Sequence, residues 1–185
     1  MFSNLLEMKK SFIVFALVSI ICCTSVYSQT RRDAAPYNNA IGATLGFMNG
    51  ATFKTFPTNH FALQLDLGYR FLSDYRFHYV PVVFSFNPNL MYESACGNGF
   101  YWFVGGGLNI GGSLRRYYQD GGIAHYGNFV FGLNVIGGAE YKFANIPLAL
   151  QVDARPGFFL FANRHHDPYI LFDYNFFNVS ARYTF

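Results

Sequence analysis

A chain of 185 residues that is 52% hydrophobic, 21% aromatic and 12% charged is too apolar for a disordered chain and unusually aromatic for a soluble one. Its formal net charge of +3, without any basic run, excludes the electrostatic footprint of a nucleic-acid-binding protein. The length points to one domain, and a mean hydropathy of +0.16 suits a sheet in which alternate residues face an apolar surround.

Residues 1–28 read as a secretory signal that is removed. Lys9 and Lys10 are its basic start, Ser11 to Ile21 its apolar run, and Ser28 the small residue before a cut at Gln29. The apolar run is short for a membrane-spanning helix. Ile21 and Cys22 stand where a lipid-attachment signal needs a small residue, so acylation of Cys22 or Cys23 is not expected. With those two gone, Cys96 is alone and cannot form an internal disulfide. Residues 29–39 are polar, contain Pro36, and read as a periplasmic leader into a β-domain spanning 40–185.

From Ala40 the chain alternates apolar and polar residues in segments broken by turn residues, the pattern of strands with two unlike faces. The first segment runs from Ala40 to Met48, and Asn49-Gly50 signals a hairpin turn. The second, Ala51 to Phe56, carries Lys54 and ends at Pro57-Thr58-Asn59. The third is the cleanest: Phe61, Leu63, Leu65, Leu67, Tyr69 and Phe71 oppose Gln64, Asp66 and Arg70. The fourth lies within His78 to Met91, weakened by Pro81 and Pro88, and Glu93 to Gly99 reads as a turn. The fifth, Phe100 to Gly111, has too many glycines for a membrane helix at about 1 kcal/mol each. Ser113 to Asn128 reads as the longest polar loop. The sixth segment, about Phe129 to Phe143, carries Glu140 and Lys142. Asn145-Ile146-Pro147 turns into a seventh from Leu148, with Gln151, Asp153 and Arg155 on one face. After a loop at Ala162 to Tyr169, the eighth closes the chain at Phe177 to Phe185.

These segments predict an all-β fold, an eight-stranded antiparallel up-and-down barrel. The polar face holds full charges in mid-strand: Lys54, Asp66, Arg70, Glu140, Lys142, Asp153, Arg155 and Arg182. Basic and acidic members can pair inside a narrow lumen, and aromatic residues gather near strand ends. Eight strands leave an interior that side chains fill, so a plugged lumen is expected. These features favour a lipid-facing apolar side, hence a transmembrane barrel.

The alternation and the terminal Phe185 resemble the small eight-stranded outer-membrane barrel proteins, the OmpA/OmpX-like type. That resemblance implies an integral protein of a Gram-negative bacterial outer membrane, surrounded by outer-membrane lipid. It also implies insertion by the barrel-assembly machinery, through the apolar face Phe177, Val179, Ala181, Tyr183 and Phe185. A periplasmic C-terminus would send the segments around Leu72 to Phe77, Ser113 to Asn128 and Ala162 to Tyr169 outside, with the Asn49-Gly50 turn. There Arg76, Arg115, Arg116 and Arg164 could meet lipopolysaccharide phosphates.

The expected function is non-enzymatic, structural or interaction-bearing through external loops, in a chain expected to be a monomer. An outer-membrane lipid-modifying enzyme and a small pore are the alternatives. His125, His165, His166, Asp167 and Asp173 hold the types needed for a general base or a metal, but a solvated loop is the plainer account. No catalytic residue, metal or cofactor is expected.

Overall fold

The computed structural model describes residues 36–71, 82–119, 122–162 and 169–185. The expected signal segment, most of the leader, Leu72 to Phe77, Arg76, Arg164, His165, His166 and Asp167 lie outside the described residues.

The strands are β1 (Asn39–Gly46), β2 (Met48–Thr55), β3 (Phe61–Phe71), β4 (Val82–Gly97), β5 (Phe100–Gln119), β6 (Gly122–Lys142), β7 (Leu148–Ala154), β8 (Gly157–Ala162), β9 (Tyr169–Asp173) and β10 (Asn178–Thr184). β7 and β8 both pair with β6 and form one stave, interrupted at Arg155-Pro156. β9 and β10 form the last stave, interrupted at 174–177. Successive staves are antiparallel, and β1 pairs with β10, so eight staves close into a barrel without a free seam there.

The stave breaks face each other. Proline has no N–H for a ladder, and at Pro156 the regular pairing lapses. Single bonds keep the staves joined: Arg155 N–H donates to Asn175 O at 2.6 Å and Val135 N–H to Pro156 O at 3.0 Å.

Alternation sets the sidedness. In β10, Asn178, Ser180, Arg182 and Thr184 are buried, while Val179, Ala181 and Tyr183 are exposed. The same rule holds round the ring. Leu45 and Leu67 are each 65% exposed, whereas Lys54, Asp66 and Arg182 are at 0%. The apolar face is outside and the charged face inside.

Several local expectations change. The β1–β2 turn sits at Gly46-Phe47, and Asn49-Gly50 lies inside β2, opposite Tyr69 and Gly68. Gly46 takes the turn backbone at φ +136°. Asn49 closes over it with its side chain: Nδ2 donates to Gly46 O at 3.1 Å, and Gly46 N–H donates to Asn49 Oδ1 at 3.3 Å. β4 does not stop at Met91 but runs to Gly97, and the tight turn is Asn98-Gly99. Pro88 fits within it because the β4–β5 ladder passes from Phe86↔Ile110 to Asn89↔Gly107, skipping its rung. Ser113 to Asn128 is not a loop. β5 and β6 stay paired as far as Gln119↔Gly122, helped by the strand formers Tyr117, Tyr118, Ile123 and Tyr126.

Two ends result. At one, Asn39 and Phe185 exchange backbone hydrogen bonds of 2.9 and 2.8 Å, beside the turns after β2, β4 and β6. Exposed and half-buried rings chain around this rim: Phe61, Tyr92 and Trp102; Phe100 with the half-buried Tyr141 and Phe143; Tyr183 and Phe185. At the other end, the described wall is bevelled. The β1–β2 hairpin stops at Phe47. On the opposite side of the ring, the last β4 partner is Leu114 and the last β8 partner is Phe129, yet β5 and β6 continue as an arm.

Candidate functional site: a charged plug in the lumen

Inward parity delivers nine ionisable side chains to the interior: Lys54, Arg70, Arg155 and Arg182 against Asp66, Glu93, Glu140, Asp153 and Asp173. They are stacked in layers along the barrel axis, with an apolar layer towards each end.

Towards the terminal end, Tyr37, Ala40, Phe56, Ala62, Met91, Phe103, Ile136 and Ala149 pack as a buried cluster. Glycine makes this possible at Gly138. A Cβ there would lie 2.8 Å from Phe103 Cζ, so its absence lets the ring of the cross-strand Phe103 lie over it. Next to this cluster sits Lys54, its Nζ 5.1, 5.3 and 6.0 Å from the ring centres of Phe56, Phe103 and Tyr37. Such distances allow cation–π attraction in a desolvated site. Lys54 Nζ also bridges Glu93 Oε2 at 2.5 Å and Glu140 Oε2 at 2.9 Å. Glu140 receives two more donors: Arg182 Nη1 at 3.3 Å and the Tyr37 hydroxyl at 2.5 Å. Burial pushes the Tyr37 phenol well above its ordinary range, so it serves as a protonated donor.

In the middle, Arg155 grips Asp153 through Nε and Nη2 at 2.6 and 3.0 Å and reaches Asp66 through Nη1 at 2.7 Å. Two carboxylates on one guanidinium leave an anionic surplus, and amides take it up. Gln64 Nε2 donates to both Asp66 oxygens at 3.1 and 3.0 Å, while Gln151 and Asn178 donate to Asp153 at 2.7 and 3.0 Å. Gln151 is also the link between layers, because its Oε1 accepts from Arg182 at 2.8 Å.

Towards the other end, Arg70 pairs with Asp173 and donates to Asn109 at 3.0 Å. Asn109, Asn134 and Asn89 continue the chain of bonds back to Asp66 at 3.0, 2.8 and 3.3 Å. Met48 turns in from the hairpin tip, and its sulfur receives Asn87 Nδ2 at 3.1 Å. The guanidinium of Arg70 lies 5.0 Å from the centre of the Phe159 ring, and beyond it Val83, Val130, Phe159 and Phe161 form the second apolar layer.

Seven of the eight charges expected on the inner face are brought into this one network. Lys142 is the exception. It sits at the end of β6, and its Nζ donates to the carbonyls of Phe143 and Ile146 at 2.8 and 2.9 Å, so it caps a turn rather than joining the plug. Glu93, Asp173, Tyr37 and the inward amides were not legible as members. Arg115, Arg116 and His125 fall on the β5–β6 arm, where backbone pairing sets Arg116 opposite His125. Asp173, expected beside the loop histidines, instead holds Arg70 inside.

Chemically the network is a set of paired charges, in which Arg70 Nε, Glu93 Oε1, Arg182 Nη2 and the nearby Asn175 Nδ2 are buried without a hydrogen-bond partner. Ser180 Oγ lies 2.8 Å from Thr44 Oγ1, a hydroxyl rather than a base. Among the described residues, no group of three or more His, Cys, Asp or Glu could hold a metal ion. Comparison with protein-family models, with curated proteins and with solved structures gives no match.

Proposed function

We propose that the chain is an integral, monomeric outer-membrane barrel that acts without catalysis, as a scaffold presenting the hairpins at the end away from its termini. The observation that carries this reading is the inversion of faces. Nine ionisable groups are inside, while Leu45, Leu67, Val135, Phe158 and Tyr183, all more than half exposed, are outside. Water would favour the opposite arrangement, and hydrocarbon favours this one.

Dimensions and rims support the same reading. About ten residues of strand tilted by about 40° span roughly 25 Å, the height of the apolar band in such barrels. The exposed rings of Phe61, Tyr92, Phe100, Trp102 and Tyr183 line the terminal rim at interfacial height. Short turns at that end suit the periplasm, and the outward row Phe177, Val179, Ala181, Tyr183 and Phe185 suits recognition by the barrel-assembly machinery.

The plug then has a structural role, since each lumen charge has a partner within the wall. Mature protein refolded in detergent should migrate differently on gels before and after boiling. Recovery in the soluble periplasm with no such shift would overturn the membrane reading. Planar bilayers should stay electrically silent, and regular conductance steps would reassign the chain as a pore.

A further inference from the structure

We propose that the chain entering β1 is a strap over the barrel mouth at the terminal end, latched by Tyr37, and that this latch seals the charged lumen from water on that side. The seal depends on the lumen alone, so it goes beyond the membrane reading above.

Alternation does not put Tyr37 where it lies. On β1 the buried Ala40 and Thr44 carry even numbers, while Ile41, Ala43 and Leu45 are exposed. An odd-numbered residue continuing that strand would point outward. Tyr37, two residues before β1, is only 7% exposed. The backbone is held as far as Asn38, whose carbonyl accepts from Phe56 N–H at 3.0 Å. Pro36 is exposed again, so one side chain dips into the barrel.

That side chain crosses the mouth. Its hydroxyl donates to Glu140 Oε1 at 2.5 Å, on β6, three staves round the ring from β1. Its ring meets Phe56 edge-on, with centres 5.2 Å apart. The wall leaves room for it, because Ala40, Ala62 and Ala149, from β1, β3 and β7, are the inward residues of the same cluster on three sides. A buried tyrosine also needs a partner for its hydroxyl. Glu140 offers one, since its Oε2 takes Lys54 and Arg182 while Oε1 takes Tyr37.

Behind the latch lies the layer of Lys54, Glu93, Glu140 and Arg182, in which Glu93 Oε1 and Arg182 Nη2 are unpartnered. Open buried donors and acceptors draw water wherever it can reach them. What closes the mouth therefore decides whether this layer hydrates.

The test uses the mature chain with the exposed Cys96 replaced by serine. Single reporters are Ala149→Cys, in the terminal cluster, and Val130→Cys, in the apolar layer at the other end, both at fully buried positions. Labelling by a small water-soluble thiol reagent is timed, and circular dichroism of the sheet checks folding. Both thiols should label slowly while Tyr37 is present, and fast labelling of Ala149→Cys then would overturn the seal. Tyr37→Ala should speed Ala149→Cys at least about tenfold and leave Val130→Cys within about twofold, as expected of a local opening. Tyr37→Phe keeps the ring but strips Glu140 Oε1 of its donor, and should speed Ala149→Cys by about threefold. Unchanged labelling of Ala149→Cys in a folded Tyr37→Ala variant would overturn the proposal. Equal acceleration of both reporters would make Tyr37 a general stabiliser and overturn it too. If Tyr37→Ala does not fold, Tyr37→Phe decides: faster labelling of Ala149→Cys alone upholds the seal, and unchanged labelling overturns it.

Discussion

Glu140 collects three donors, from Lys54, Arg182 and Tyr37, and has no exposure to spare. Breaking a buried ion pair by removing one partner leaves a bare charge and costs about 3–5 kcal/mol. Glu140→Gln should therefore lower stability by about that amount in urea titrations of the detergent-refolded barrel, read by the gel shift. Lys142→Met should cost less than about 1 kcal/mol in the same assay, because its ammonium caps two carbonyls at a partly exposed turn. The contrast separates two lysines that carry the same parity. Lys54 was legible in the sequence because mid-strand alternation decides its side. Lys142 was not, because at a strand end parity no longer decides what a long side chain reaches. Glu93 was hidden for a related reason, since the prolines of the fourth segment made β4 look shorter than it is.

At the level of elements, the positions that mattered were those where an aromatic ring crosses a glycine. Phe103 lies over Gly138, and Phe159 over Gly132, each pair facing across two hydrogen-bonded strands. Gly138→Val would push into the Phe103 ring and the backbone of β7, and should cost at the upper end of roughly 1–3 kcal/mol, measured by urea unfolding. Asn49→Ala removes both hydrogen bonds that close the β1–β2 tip and should cost about 0.5–1.5 kcal/mol. The Asn-Gly pair did carry turn chemistry, but through the asparagine side chain, with Gly46 supplying the backbone. The last stave hides a similar displacement. Asp173 and Asn175 face inward on odd numbers, while Asn178 and Ser180 do so on even ones, because Phe176 and Phe177 are both exposed at the irregular step between them. Counting back from Ser180 by twos would place Asp173 outside, so its partnership with Arg70 could not be read from alternation.

For the molecule as a whole, the closed ring and its inverted faces were legible, because eight alternating segments leave little else to build. The density of the interior was not. By alternation alone, an arginine at inward Ser180 would be tolerated better than one at outward Val179 provided that the lumen can adapt. The packed lumen reverses that order. Ser180 is fully buried against Thr44, with Arg182 two residues on, so Ser180→Arg would add volume and an unpaired charge to a filled layer. Val179→Arg should cost about 2–4 kcal/mol if that rung lies near the bilayer midplane. We expect Ser180→Arg to exceed it and to abolish the gel shift, and the reverse order would argue for a hydrated, yielding lumen.

The bevel has a consequence of its own. A plain cylinder offers the same profile from every compass bearing in the membrane plane, and a neighbour approaching sideways could not tell one bearing from another. Here the low edge at Phe47 and the tall ribbon of β5 and β6 stand half a turn apart. The barrel thus has a front and a back. On the proposed membrane reading, lateral neighbours would meet a parapet on one side and a step on the other, so their contacts would depend on how the molecule is rotated about its own axis.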